Sequence, residues 1–334
     1  MKLALVVLMS GLIQAATSDP DGTDPLAGIL AEARASVDAG QAAAAIEKLE
    51  ALDQSEDPRV RHLLGVAHYH TDEYIRAIEL LSTVVERLPE GSRDRREAVQ
   101  VLGLSQYLAG RFPESIPFLE RTRTWAPDNI ELLQVLGMVY IQTRQPDKAR
   151  EAWAHVFGVA PDSAAAHLLT AQMMVRVEFE EYAESELKRA IEKDPRIPHA
   201  HYLLGQMAIF RARYEEGVAL TQRELEVNPG NAMAFYQLGD AYSRQQKWDE
   251  AVEALQKSLW LNPYYSGPYI LLGRAYMKKK QPATAEGMLR RAIEYDPNNM
   301  QAHYLLGQLL QQTGRSEEAK REFEIAERLR ASEL

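Results

Sequence analysis

The chain has 334 residues, 46% of them hydrophobic and 26% charged, which supplies material for a core throughout and excludes wholesale disorder. Its formal net charge of -10 opposes binding to nucleic-acid phosphates, which needs a clustered basic face; the densest basic stretches, Arg93 to Arg96 and Lys278 to Lys280, read as a loop and a solvated helix end. The lack of cysteine excludes disulfides, thiol nucleophiles and cysteine-ligated zinc, while abundant Leu, Ala, Glu, Arg and Gln favour helix over strand.

At the N-terminus Lys2 precedes an apolar run from Leu3 to Ile13, then the small residues Ala15, Ala16, Thr17 and Ser18 and the polar turn Asp19 to Gly22. This is the layout of a secretory signal peptide over residues 1–18, with cleavage after Ala16 or Ser18, and the run is shorter than the roughly 20 residues of a membrane span. The expected locale is therefore outside the cytoplasm, periplasmic or secreted from a bacterium, with no integral span after signal removal. Residues 19–57 then hold a linker and a helical hairpin. Ala39-Gly40 form its turn, and Ala45, Leu49 and Leu52 lie on its inner face.

From residue 58 the chain repeats. Leu-Gly pairs begin at Leu64, Leu102, Leu136, Leu204, Leu238, Leu272 and Leu306; after a first gap of 38 they fall 34 or 68 residues apart, the long gap holding a degenerate Thr170-Ala171. Prolines 89, 127, 161, 195, 229, 263 and 297 keep the same spacing. In the unit from Ala232 the markers are Phe235, Leu238, Gly239, Tyr242, Trp248, Ala251, Leu255 and Pro263. The first four share one face of a 3.6-residue helix, and Trp248, Ala251 and Leu255 belong to a second helix that packs against it. Small residues at positions 8 and 20 let the two helices approach closely, and the proline stops the second helix. Ser115 and Gly217 replace the position-20 alanine without adding bulk, and the four extra residues in the stretch Glu90 to Arg96 read as a longer polar connection. In the last unit, Glu317, Lys320, Arg321, Glu324 and Arg328 surround the apolar stripe of the second helix, so that helix can face water.

Period and motif together resemble the tetratricopeptide repeat, in eight units over residues 58–331, with the segment before them as a divergent N-terminal cap. The resemblance implies an all-α fold, a right-handed α-solenoid (superhelix) of helical hairpins whose first helices line a concave groove. It implies a protein or peptide partner in that groove. Repeat positions 2, 5, 9, 12 and 13, which face it in related arrays, hold Tyr69, Tyr107, Gln134, Gln142, Gln172, Arg176, Tyr202, Gln206, Phe210, Tyr236, Asp240, Arg244, Arg274, Lys278, Tyr304, Gln308 and Gln311. Tyrosine gives contact area at low entropic cost and glutamine can bond an extended backbone, so the lining suits a peptide or a flexible segment, and its excess of cations leans toward an acidic or C-terminal-carboxylate ligand. Related chaperone-binding arrays use an asparagine at position 9; here Val66, Leu104, Met138, Gln172, Gln206, Asp240, Arg274 and Gln308 stand there, so that clamp is absent.

Catalytic and metal motifs are missing. His68/His70 and His199/His201 are two apart and diverge on a helix, His167, His201 and His303 occupy packing position 4, and His62 and His155 read as isolated. Glu180/Glu181 and Glu215/Glu216 read as solvated pairs near inter-helix turns, and Trp125, Trp153, Trp248 and Trp260 as falling at or near packing positions. The reading is an interaction scaffold without catalysis, cofactor or metal, acting in assembly of an envelope or secretion complex. The runner-up is an accessory protein of polysaccharide biosynthesis or export that positions a synthase or pore.

Overall fold

The computed structural model describes residues 24, 26–52, 55–176 and 179–332. The signal-peptide segment, residues 1–18, lies outside the described residues. The chain divides into two compact units, Met1–Asp162 and Ser163–Leu334. All regular structure among the described residues is helical.

The first unit pairs α1 (Ala27–Asp38) with α2 (Ala42–Glu50), α3 (Pro58–His70) with α4 (Tyr74–Ser82), α5 (Arg93–Leu108) with α6 (Phe112–Trp125), and α7 (Ile130–Gln142) with α8 (Pro146–Phe157). The second pairs α9 (Ala164–Val175) with α10 (Glu180–Lys193), α11 (Ala200–Phe210) with α12 (Tyr214–Val227), α13 (Ala232–Arg244) with α14 (Trp248–Leu261), α15 (Ser266–Lys278) with α16 (Pro282–Tyr295), and α17 (Met300–Gln312) with α18 (Ser316–Ser332). Within each unit the two helices of a hairpin pack on one another and the second helix of a hairpin packs on the first helix of the next, the all-α architecture of a solenoid.

The repeat markers explain these contacts. Ala77, Ala149, Ala183, Ala251 and Ala285 at position 20 are fully buried, as is the hydroxyl-bearing Ser115. At position 8 the obstacle to a side chain is chiefly another side chain. A Cβ on Gly65 would lie 2.6 Å from Leu81 Cγ, one on Gly239 2.4 Å from Leu255 Cγ, and one on Gly137 2.7 Å from the Trp153 ring. A Cβ on Gly205 would also meet backbone, the Gly217 carbonyl oxygen at 3.1 Å. The missing Cβ thus makes a socket for the large residue at position 24. Successive hairpins then share a core: Leu289 and Ala292 of α16 are buried with Ala302, Leu305, Leu306 and Leu309 of α17.

Helix ends are handled by position. Ser92, Asn129, Ser163, Asn231 and Asn299 cap α5, α7, α9, α13 and α17 by accepting a backbone N–H from inside the first turn. Between the two helices of a hairpin the chain passes through a left-handed residue: Gly40, Gly110 and Gly314, but also Asp72, Arg144, Ala212, Gln246 and Lys280. Paired amide-to-carbonyl bonds close these turns, for example Ala212 N–H to Ile209 O and Arg213 N–H to Ala208 O. The Glu90 to Arg96 connection differs from its polar-loop reading. Ser92 starts α5 one residue before Arg93, so Arg93 to Arg96 form its first turn rather than a loop, and Arg95 is ion-paired with Glu86. In α18, Glu317, Lys320, Arg321, Glu324 and Arg328 are all exposed.

Candidate functional site

The expected groove residues lie on first helices in both units, and their exposure differs. In the first unit Tyr69 is only 9% exposed, packed edge-on against His70 and tilted against Tyr74, so its ring is core rather than surface. Tyr107, Gln134 and Gln142 are half-buried, and Tyr107 leans on Phe112 at 6.0 Å.

The second unit presents a more open row on α9, α11, α13, α15 and α17. Arg176, Gln206, Phe210, Arg244, Lys278, Tyr304 and Gln311 are exposed, Phe210 at 81%, while Gln172, Tyr202, Tyr236, Asp240, Arg274 and Gln308 are half-buried. Tyr202 and Tyr236 are brought together around Tyr265, whose ring centroid is 5.1 Å from that of Tyr236. Tyr265 was not among the expected residues. It occupies the place where Asn129, Ser163, Asn231 and Asn299 cap their helices, and α15 accordingly has no side-chain cap. The tyrosine bends over Gly267, where a Cβ would meet its Cζ at 2.7 Å. The missing cap residue next to a helix-opening Ser-Gly-Pro is the one feature of the sequence that sets Tyr265 apart, and the repeat pattern passed over it.

Burial, then the neighbouring Tyr265, pushes the Tyr202 and Tyr236 phenols above their ordinary range, so both remain neutral hydrogen-bond donors at neutral pH. Arg244 is held by Asp240 at 2.8 Å, and its guanidinium is shifted upward by that bond. Arg274 and Lys278, one turn apart on α15, have no hydrogen bond or ion pair from their side chains among the described residues. The row therefore combines neutral phenols, amides, an exposed phenylalanine and two uncompensated cations. Among the described residues the row holds no nucleophile beside a base.

Two other clusters bear on metal or catalytic readings. His62 and His155 are not isolated: His62 Nε2 lies 3.0 Å from Glu97, and His155 Nε2 lies 3.0 Å from Asp128. His62, Asp94 and Glu97 each place a ligand atom within 4.8 Å of the others. The Arg34 guanidinium already donates to both Glu97 oxygens, at 2.9 and 2.7 Å, and lies 3.5 Å from Asp94, so an organic cation stands where a metal would. Glu180/Glu181 and Glu215/Glu216 sit in the first turns of α10 and α12, with Glu180 3.4 Å from Arg211. Of the tryptophans, Trp153 is core and Trp125 lies under Arg96 and Arg121, but Trp260 is 84% exposed, which corrects its assignment to packing. In the same last turn of α14, Ser258 is buried and Leu259 packs against Leu271 and Leu272 of α15, so Trp260 lies on the outward side of the helix.

Three sequence profiles of the tetratricopeptide repeat match the chain, one over residues 106–173 and 276–330, one over 232–265 and one over 30–92. The last reaches back into α1, across the N-terminal hairpin. A search of curated proteins returned no match. Among solved structures, MamA from Desulfovibrio magneticus RS-1 is similar at 23% identity and a TM-score of 0.47, over 51% of this chain and 97% of that one. YrrB, described as a TPR protein with an unusual peptide-binding site, is similar at 19% and 0.46 over 56% of this chain and 100% of that one. The Cut9–Hcn1 hetero-tetramer of the APC/C is similar at 18% and 0.46 over 84% of this chain and 55% of that one. These are likenesses of fold alone. With the 34-residue hairpins in place and the profiles together spanning more than half of its length, the chain belongs to the tetratricopeptide repeat family.

Proposed function

We propose that the protein is an interaction scaffold that holds a peptide or a protein surface along the first-helix row of its second unit, without catalysis. The observation that carries this reading is the open row itself. An 81% exposed Phe210, half-buried Tyr202 and Tyr236, and the uncompensated Arg274 and Lys278 lie on successive helices of one stack. Amphipathic rings with satisfied stems and free faces are suited to a partner, and the two cations favour an acidic segment.

A photo-crosslinking residue at Phe210 should capture a defined partner in cells, whereas one at Glu253, on the outer helix α14, should not. The double change Tyr202→Ala and Tyr236→Ala should weaken that complex by about 1–3 kcal/mol with the helical content retained. Equal capture from both positions, or unchanged affinity in the double variant, would refute the assignment. We also place the protein outside the cytoplasm, in assembly of an envelope or secretion complex, on the strength of Lys2, the apolar run and the small residues that follow. N-terminal sequencing of exported material should then begin between Ala16 and Asp19, and an intact Met1 would count against export by cleavage. The captured protein decides between this assembly role and one beside a polysaccharide synthase or pore.

A further inference from the structure

The helices that carry Tyr202 and Tyr236 open differently. α13 begins at Ala232, directly after its cap Asn231, whose Oδ1 accepts the Ala234 N–H at 3.1 Å. α11 begins at Ala200, two residues later in the repeat, and His199 before it sits in the left-handed region at φ 72° with no side-chain cap. The acceptor that α11 lacks comes from its hairpin partner. Glu224 of α12 is fully buried and has no ion pair among the described residues. Its carboxylate accepts the His199 N–H at 2.9 and 3.0 Å and the Tyr202 N–H at 3.4 Å. The same carboxylate accepts Asn231 Nδ2 at 3.2 Å, so it also holds the residue that caps α13.

The carbonyl of Tyr202 is held as well. Gln237 of α13 donates from Nε2 to the Tyr202 oxygen at 3.2 Å and to Thr221 Oγ1 at 2.6 Å, and Thr221 donates to the Gly217 carbonyl at 2.7 Å. This polar pair fills the socket of Gly205, where a Cβ would lie 2.7 Å from both Gln237 Nε2 and Thr221 Oγ1. The three positions occupied by Thr221, Glu224 and Gln237 hold Leu289, Ala292 and Leu305 between α16 and α17, and Leu255, Ser258 and Leu271 between α14 and α15, all buried. A largely apolar joint therefore suffices to pack two hairpins. Burying a carboxylate without a counter-charge costs more than burying an alanine. What the polar groups add is direction, because each hydrogen bond constrains a distance and an angle. Here the directed bonds end on the backbone of Tyr202 and on the cap of the helix that carries Tyr236.

We propose that Glu224, Gln237 and Thr221 are positioning residues: they fix the first turns of α11 and α13 against each other and so preset the spacing of Tyr202 and Tyr236 for the partner of the binding row. The role rests on the reading of that row as a binding surface. All three side chains are buried and act through the two tyrosines. A tyrosine whose helical turn is already ordered loses less freedom on binding, so the set contributes affinity without a contact of its own.

The test sets stability against binding. Thr221→Leu, Glu224→Ala and Gln237→Leu together rebuild the α16–α17 joint between α12 and α13 of the full chain. The urea midpoint should equal or exceed that of the parent. The Tyr202 amide should exchange with solvent at least about fivefold faster by NMR, as after loss of a helix cap. Capture through the photo-crosslinking residue at Phe210 should fall at least about threefold. A midpoint and a capture yield that fall together in this variant overturn the proposal, since a purely stabilising network gives that result. Glu224→Gln keeps the volume but turns an N–H toward the backbone amides, and it decides the matter if the triple variant does not fold. Its faster exchange should be confined to the first turns of α11 and α13, with capture again reduced; exchange raised across the whole unit overturns the proposal. Unchanged Tyr202 exchange, or unchanged capture, overturns the positioning role and leaves the row standing. No capture through Phe210 in the parent overturns the row and the positioning role together.

Discussion

A glycine inside a helix weakens it by about 1 kcal/mol relative to alanine, yet Gly273 and Gly287 of the α15/α16 hairpin carry opposite expectations. Gly287 lies on the exposed side of α16, where an added methyl would find nothing within 4 Å, so Gly287→Ala should stabilise the protein by about the full 1 kcal/mol. Gly273 faces Leu289, whose Cγ would lie 2.6 Å from a new Cβ, and Leu289 is fully buried. Gly273→Ala should therefore cost about 1–3 kcal/mol despite the better helix propensity, because the leucine must leave its rotamer or the helices must separate. Urea midpoints of the two variants against the parent read both signs in one experiment. The sequence announced this residue through the 34-residue recurrence of Leu-Gly. It did not announce what filled the gap, since that belongs to the residue sixteen positions later, which varies among Leu, Trp, Thr and Phe.

At the scale of the element, eight hairpin turns among the described residues pass through one residue in the left-handed region, and the sequence meets the need unevenly. Gly40, Gly110 and Gly314 adopt it freely, with φ of 74°, 74° and 81°, whereas Ala212 holds φ 59° with a Cβ that crowds the backbone. Ala212→Gly should raise stability by about 0.5–1 kcal/mol, the relief of the left-handed conformation less the added freedom of the unfolded chain. Gly314→Ala should lower it by a similar amount, and thermal or urea unfolding distinguishes the two. The hairpins and their small-residue seams were legible because helix period and repeat period both project onto sequence. The binding row was legible only as a set of directions. Position 5 is exposed at Tyr304 but half-covered at Tyr202 and Tyr236, and position 12 is half-covered at Tyr107 and buried at Tyr69, because coverage depends on what the neighbouring hairpins bring over it. Tyr265 was missed because it lies in a connection, where the repeat pattern assigns a cap and not a contact.

At the scale of the whole molecule, a repeat protein is held mainly by faces shared between sequence neighbours, so a tie that skips a hairpin acts on more than one interface. Arg34 of α1 reaches Glu97 of α5 across 63 residues, and His62 of α3 meets the same carboxylate. Nothing in the local sequence of Glu97 marks it, since both partners are supplied by earlier hairpins of its unit. Burial alone would raise its pKa, but the bonds from His62 and Arg34 prevail and bring it down to about 2. A carboxyl depressed in the folded state stabilises above its unfolded value near 4.5 and loses that contribution as pH falls toward 2. The difference corresponds to about 3 kcal/mol. Glu97→Gln should lower stability by about that amount at pH 7, where it also leaves the Arg34 cation buried without its counter-charge. The gap between parent and variant should narrow steadily from pH 4.5 downward, because the parent surrenders there what the variant never had. Urea unfolding followed through Trp125 and Trp153, which belong to the same unit, checks this between pH 7 and pH 3; a gap that stays constant with pH would assign the stabilisation to packing around Glu97 instead of to its charge.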